Sequence, residues 1–404
     1  MNCFLLLLTL LGIVYADKWA VLVVGSAGYW NYRHQADSAH AYHILLDNGY
    51  NPNNIIVLSY NDVASSDSNP FPNTLFNKPG ENSINYNEGY VVDYPKLDCN
   101  IENYLKVLLG DESTGKKVLK STEEDTVFLG FFDHGSDDLI CFPLEELHSK
   151  DLLDTIYKMH EKKMYKRLVY YMEACFSGSM FDEMSVDVNA YALTAANGEE
   201  SSWAYYCGKD AYVNGTSINS CLGDEFSIRW MENVDEGNLN ETFKEQAELV
   251  TSQVEKSHVC RFGDFSIDDL PISEVFEGPL PHIRKDVQKS ELLKAEREDI
   301  YLAKLNYYKR LVEKENSRDN QIGYQQELSN IRKIDDYFKQ ITIKLVNMGK
   351  ISVTHIPRHV NNIECYKKSI QIVTNTLSRS DYLIKYYPTL HAFCDQFSES
   401  YLYL

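Results

Sequence analysis

The chain has 404 residues, a net charge of −20 and 44% hydrophobic residues. That length suggests two or three domains with ample core, and so acidic a balance argues against nucleic acid as the partner of the main body. The charge is uneven: from Pro279 to Leu404 there are 20 Lys and Arg against 15 Asp and Glu, and the rest carries 19 against 44, so a basic tail is able to dock on an acidic body.

Residues 1–16 open with an apolar run too short to span a bilayer comfortably and end in Val14-Tyr15-Ala16, a small-x-small site. They read as a signal peptide, with Asp17 beginning the secreted form. No other stretch approaches the ~18 apolar residues of a membrane span. Lys18–Val24 reads as a buried strand closed by Gly25-Ser-Ala-Gly28. Residues 35–46 form a helix that ends at Asn48-Gly49, and Ile55–Ser59 is the next strand. Strand, helix and strand at this spacing mean a right-handed parallel crossover. Residues 62–98, rich in Asn, Ser, Pro and Gly, read as a long surface loop with a short edge hairpin at 89–93. A helix follows at 101–109. Thr126–Phe132 is an apolar run that ends in Asp133-His134-Gly135-Ser136. Residues 145–163 are helical, and 168–172 form a buried strand that stops at Glu173-Ala174-Cys175. Ala190–Thr194 is a further strand, 225–234 and 239–256 are helices, and 264–278 is an extended closing piece.

Composition shifts at Pro279-Leu-Pro281. Residues 285–314 read as a charged helix, interrupted at 316–320. Helical segments resume at 324–348 and 365–397, with breaks near Gly349 and Pro357. The expected organisation is a signal peptide (1–16), an α/β domain (17–278), a linker (279–323) and a helical C-terminal unit (324–404).

Cys175 lies just past the carboxyl end of a buried strand, where open α/β sheets place their ligands. His134 lies in the same place on another strand. If the strands are neighbours, the two face each other across one crevice, and a thiol needs such a base to become a thiolate near neutral pH. A lone buried Cys is more often an inert small hydrophobe, and a lone His more often structural. Two of them, each ending an apolar strand beside Gly, favour the pair. Nine cysteines include Cys3 within the signal segment. Cys207 and Cys221 bracket a polar loop and suit a staple. Cys365 and Cys394 lie in the helical tail and are able to pair. Cys99, Cys141 and Cys260 read as free thiols. Asn214-Gly-Thr and Asn240-Glu-Thr are glycosylation acceptors that fit a secretory route. No His-Glu-x-x-His or paired Cys-x-x-Cys motif occurs, so neither metal nor cofactor is expected.

Asn31-Tyr-Arg-His-Gln-Ala-Asp37, Asp133-His-Gly-Ser136, Glu173-Ala-Cys175 with Ser177-Gly-Ser-Met180, Ala195-Ala-Asn197, Glu200-Ser-Ser202 and Leu222-Gly-Asp224 together closely resemble the legumain, or asparaginyl endopeptidase, family. The resemblance implies a caspase-like α/β sandwich with helices on both faces of a mostly parallel sheet, plus a C-terminal all-helical prodomain that caps the active site of a zymogen. It implies Cys175 as nucleophile, His134 as its partner and Asn31 orienting the imidazole. The backbone N–H groups of Cys175 and Gly135 would make the oxyanion hole. Arg33, Glu173, Ser202 and Asp224 match the pocket for a substrate Asn, and Trp203 matches an aromatic stacking position. A carboxamide offers one acceptor and two donors, which Arg33 and the two carboxylates can meet. An Asp would fit only when protonated, so acid should widen specificity. Phe176 stands where the family usually has Glu, and the Cys207/Cys221 pair is more like the plant branch. The expected partners are peptides and proteins containing Asn, and the chain's own tail in cis, in a lysosomal, vacuolar or secreted setting. Acid would protonate interface carboxylates and release the cap, and cleavage after Asn316, Asp319 or Asn320 would complete activation. The same residues would serve a peptide ligase, in which an amine intercepts the thioester. A glycolipid-anchor transamidase, which needs a C-terminal membrane helix, and a secreted binding protein without activity are the weaker alternatives.

Overall fold

The computed structural model describes residues 16–280, 294–347 and 362–396, so the signal segment and the breaks near Gly349 and Pro357 lie outside the described residues. Seven strands form the central sheet: β1 (Lys18–Val24), β2 (Ile55–Ser59), β3 (Tyr94–Pro95), β4 (Thr126–Phe132), β5 (Arg167–Glu173), β6 (Ala190–Thr194) and β7 (Cys260–Gly263). Their order is β7-β6-β5-β4-β1-β2-β3, and every pairing is parallel except that of β7 with β6. The continuous apolar runs of β1, β4 and β5 follow from burial on both faces. Within β1, Trp19, Val21 and Val23 enter one core with the helices Ile101–Leu108 and Ser149–Glu161. Ala20 and Leu22 enter the other, with Tyr32–Asp47, Glu225–Asp235 and Phe243–Gln253. The expected α/β architecture, helices on both faces of a mostly parallel sheet with a helical C-terminal region, is the one observed.

Several element readings change for local reasons. The helix expected from 145 starts only at Ser149, because Glu146–His148 pairs with Leu139–Cys141. The hairpin expected at 89–93 is turn and coil leading into the short edge strand β3. The closing piece at 264–278 follows β7 and contains a short helix, Ser273–Phe276. Of the charged helix expected over 285–314, the described residues are α-helical from Ala303 to Lys314. Ahead of it, Arg297–Asp299 is a strand, because the exposed edge of Trp203–Tyr205 supplies backbone partners that a helix would forgo. Residues 281–293 lie outside the described part.

The C-terminal helices sit on the carboxyl edge of the sheet. Ile331, Ile334 and Phe338 of the helix Arg318–Asn347 share one apolar cluster with Tyr366, Leu383 and Leu390, and also with Leu139, Cys141 and Cys175 of the α/β domain. The Cys365–Cys394 disulfide ties helix Ile363–Leu377 to helix Tyr387–Gln396. No helix among the described residues is long and apolar enough to cross a membrane.

Candidate active site

Strands β4 and β5 run in register, Phe132 opposite Glu173, and the Asp133 N–H donates to the Glu173 carbonyl. The segments beyond them therefore emerge side by side, which brings His134 and Cys175 to one edge. A Cβ on Gly135 would lie 2.5 Å from the carbonyl oxygen of Cys175, so this approach requires glycine. Phe176 takes a left-handed conformation (φ 54°), and this sharp turn lets the chain leave the strand directly after Cys175.

His134 Nε2 lies 3.1 Å from Asn31 Oδ1, while Nδ1 is buried without a hydrogen-bond partner. Asn31 in turn receives Arg33 Nη1 on the same oxygen at 3.1 Å. The Cys175 sulfur is fully buried and bonds to Ser202, accepting from its N–H at 3.2 Å and reaching its carbonyl at 3.9 Å. Burial pushes this thiol up to about 12, and hydrogen bonds from Tyr301 and Ser201 offset only part of that rise. The thiol is thus held protonated in the closed molecule.

Near it lies a buried polar cluster. Arg33 Nε donates to Asp224 Oδ1 at 2.8 Å, and Ser227 donates its N–H and hydroxyl to Glu173 Oε2, both at 3.0 Å. Arg33, Glu173 and Asp224 are each buried to 1% exposure or less. Three of their atoms make no hydrogen bond: Arg33 Nη2, Glu173 Oε1 and Asp224 Oδ2. Burial holds Glu173 well above the usual carboxyl range, with the Asp224 charge adding to the effect, and Asp224 is raised for the same first reason. His34, whose Nε2 is 3.5 Å from Asp224 Oδ2, is kept well below its ordinary value by burial.

Two groups that sequence reasoning missed close the site. The Tyr301 hydroxyl donates to the Gly135 carbonyl at 3.1 Å, and its ring stacks on His134 at 6.3 Å. Asp381 Oδ2 accepts from Trp30 Nε1 at 2.8 Å and Asn31 Nδ2 at 3.0 Å, and lies 3.6 Å from His134 Nε2. Burial would raise this carboxyl, but His134 and the two donors outweigh it and hold it below the ordinary range. No sequence signal marks either residue, since both act through long-range placement.

The remaining expected positions are placed as follows. Trp203 is half-buried on the strand Trp203–Tyr205, beneath Lys256 Nζ at 5.8 Å. Cys207 and Cys221 form a disulfide, as do Cys365 and Cys394, while Cys99, Cys141, Cys175 and Cys260 are free. Asn214 and Asn240 are exposed. Asn316 and Asp319 are exposed, and Asn320 is half-buried, with Nδ2 donating to the Leu311 and Glu315 carbonyls. Among the described residues, His34, Asp133 and His134 bring ligand atoms within 4.8 Å of one another, but His134 already belongs to the site above.

A thiol and an imidazole at the carboxyl edge of a mostly parallel sheet, near a buried carboxylate–guanidinium cluster, define a class of α/β proteins with a nucleophile site. The family model described as "Peptidase C13 family" matches residues 18–279, and the chain belongs to that family. It is 45% identical over 258 residues to the vacuolar-processing enzyme delta-isozyme of Arabidopsis thaliana, 61% of this chain and 55% of that one. It is 44% identical over 264 residues to the hemoglobinase of Schistosoma mansoni, 65% of this chain and 59% of that one. To the legumain of Mus musculus it is 44% identical over 266 residues, 64% of this chain and 59% of that one. The chain thus spans a little over half the length of these relatives. Among solved structures, the caspase-1 of Spodoptera frugiperda aligns with TM-score 0.38 and 11% identity, over 66% of this chain and 92% of that one, a likeness too slight to bear on function.

Proposed function

We propose that the protein is a cysteine endopeptidase selective for Asn, made as a secretory-pathway zymogen. Residues 17–278 are its peptidase domain, 279–323 its linker, and 324–404 a cap acting in cis. One observation carries the specificity: the buried cluster near Cys175 leaves one donor and two acceptors without a hydrogen bond, on Arg33, Glu173 and Asp224. A carboxamide supplies one acceptor and two donors. A Lys, Glu or apolar side chain would leave buried polar groups unmatched, which discriminates strongly. Ser202 and Trp203 take the substrate-binding places that the family resemblance implies. Family membership and the relatives' names, among them a vacuolar-processing enzyme, support the activity and a vacuolar or lysosomal destination. Two disulfides suit an oxidising route.

In this reading the Cys175 thiol gives its proton to His134 Nδ1, the nitrogen that Asn31 leaves uncommitted. The sulfur attacks the carbonyl carbon of the substrate Asn. The oxyanion is received by the N–H groups of Cys175 and Gly135, and His134 hands the proton to the departing amine. Water then hydrolyses the thioester. Asp as substrate becomes acceptable in acid. Ser227 occupies Glu173 Oε2, so protonation falls on Oε1 and converts an acceptor into a donor for a carboxyl oxygen.

The test is cleavage of an Ala-Ala-Asn fluorogenic peptide over roughly pH 4 to 7, with Cys175→Ala as control. Turnover by the full chain that vanishes in the control supports the reading. Equal turnover by the control, or none by either protein at any pH, ends it.

A further inference from the structure

The strand Arg297–Asp299 lies antiparallel to Trp203–Tyr205, with Asp299 opposite Trp203 and Arg297 opposite Tyr205. Two residues on, Tyr301 reaches Gly135 and the Cys175 thiol. This piece of the chain therefore threads the cleft as an added strand ending at the sulfur, the way sheet edges bind extended peptides. Counting back from Tyr301 as the first residue, Asp299 is third and Arg297 fifth.

The fifth position is built for a cation. Arg297 donates Nε, at 2.8 Å, and Nη2 to Glu225 Oε1. Its guanidinium sits 5.1 Å from the centre of the Tyr205 ring, and Nη1 lies 3.4 Å from Glu255 Oε2. Glu225 is 1% exposed, and its Oε2 is buried without a partner. One turn along the same helix, Arg229 directs Nη2 to the Tyr205 hydroxyl at 2.6 Å. When the linker leaves, Glu225 loses the cation that its Oε1 holds and becomes a buried carboxylate facing the cleft. Such a group strongly favours a replacement charge, and guanidinium meets it best because it can bond and stack at once.

We propose that Glu225 and Tyr205 form a substrate subsite for a basic side chain, Arg above Lys, four residues before the residue whose carbonyl is attacked, and that Arg297 fills it in the uncleaved chain. This rests on the peptidase reading of the cleft. The test uses the full chain, incubated in acid until it turns over, with peptides Xaa-Ala-Ala-Ala-Asn-Gly in which Xaa is Arg, Lys, Ala or Glu. The expected result is kcat/KM about tenfold higher for Arg than for Ala, which is about 1.4 kcal/mol, with Glu lowest. In Glu225→Gln the Arg-to-Ala ratio falls to about twofold. Equal rates for Arg and Ala, or a ratio that survives in Glu225→Gln, overturn the subsite. Absence of cleavage of every peptide instead removes the peptidase reading. A second measurement then still decides the contact: hydrogen exchange of residues 295–302 in Cys175→Ala, with and without Arg297→Ala, a substitution at a half-buried linker position. Exchange about tenfold faster in Arg297→Ala is expected, and unchanged exchange overturns the proposal.

Discussion

Truncating Asp381 to Ala in the full chain should open the cap without unfolding the body. The carboxylate accepts from Trp30 and Asn31 and lies beside His134, and its side chain is 24% exposed. Hydrogen bonds to a charged group are worth roughly 1.5–3 kcal/mol each, and partial exposure lowers that, so about 2–3 kcal/mol is lost from the closed state. At tenfold per about 1.4 kcal/mol, the open population rises about 30- to 150-fold. The assay is the rate of Cys175 alkylation at neutral pH, read residue by residue by mass spectrometry. Cys175 is fully buried when closed, so its rate reports opening. Cys99, 1% exposed in the sheet core, reports global unfolding. Cys175 should react about 30- to 150-fold faster while Cys99 does not change. A Cys175 rate equal to the parent's refutes the clamp, and equal acceleration of both thiols refutes the claim that only the cap moves. Because the Asp381 carboxyl titrates below its ordinary value, its contribution is present above the ordinary carboxyl range and is lost only as pH falls through the lower folded value. The acceleration should therefore be the same at about pH 7 and pH 8, both above the window in which acid itself opens the cap.

Three further outcomes follow from the site. His148→Gln should move the pH midpoint of cap opening, followed by trypsin sensitivity in Cys175→Ala, down by about one pH unit. An unmoved midpoint would exclude His148 as the acid-sensitive group. Glu173→Gln should free the cleavage of Asp peptides from its need for acid, because the amide NH2 stands where the protonated Oε1 would, while Asn peptides lose about 10- to 100-fold in kcat/KM, and Asp cleavage that still needs acid would locate the proton elsewhere. Converting Cys365 and Cys394 to Ser together opens a cross-link spanning 29 residues. It should cost the helical unit about 3–4 kcal/mol, seen as a lower thermal midpoint for the cap transition alone, and an unchanged midpoint would show that helix packing suffices without it.

What could be seen in the sequence divides along the range of the interactions. β1, β4 and β5 were legible because burial on both faces writes an uninterrupted apolar run, and the residues that end those runs are the ones found at the sheet edge. Arg33, Glu173 and Asp224 were legible through family motifs, although nothing local says that they converge. The Cys207–Cys221 disulfide was legible as a bracket around a polar loop, and Cys365–Cys394 as the two cysteines of the helical tail. The strand Arg297–Asp299 was not, since Arg-Glu-Asp in a charged stretch favours helix and its pairing partner lies about 90 residues away. Asp381 and Tyr301 were invisible for the same reason: an Asp at the start of a short helix reads as an ordinary solvated residue until the helix is set against His134.

The basic tail does meet the acidic body, through Arg379 to Glu146 and Lys367 to Asp151, but protonating buried interface carboxylates is a poor release mechanism. Burial raises both Glu146 and Asp137, each of which lies under the cap. A carboxyl raised in the closed state is stabilised there by its proton, so acid favours closure through it, and its contribution is lost only as pH rises through the raised value. Asp381, lowered, holds the cap well into acid. His148 has the opposite sign to Glu146 and Asp137. It is 4% exposed against Tyr366 of the cap, and burial lowers it from 6.5 to about 4, with Lys367 adding to the effect. Its contribution to closure is complete above about pH 6.5 and disappears as pH falls toward 4, a loss of at most about 3.4 kcal/mol, reached to the extent that the cap causes the burial. Exposed pairs such as Lys367–Asp151, at 38% and 46% exposure, add little at any pH. Acid opening of the proposed cap would therefore be driven by charging a buried imidazole against the resistance of its buried carboxyls, and the opening window should sit between the two values of that imidazole.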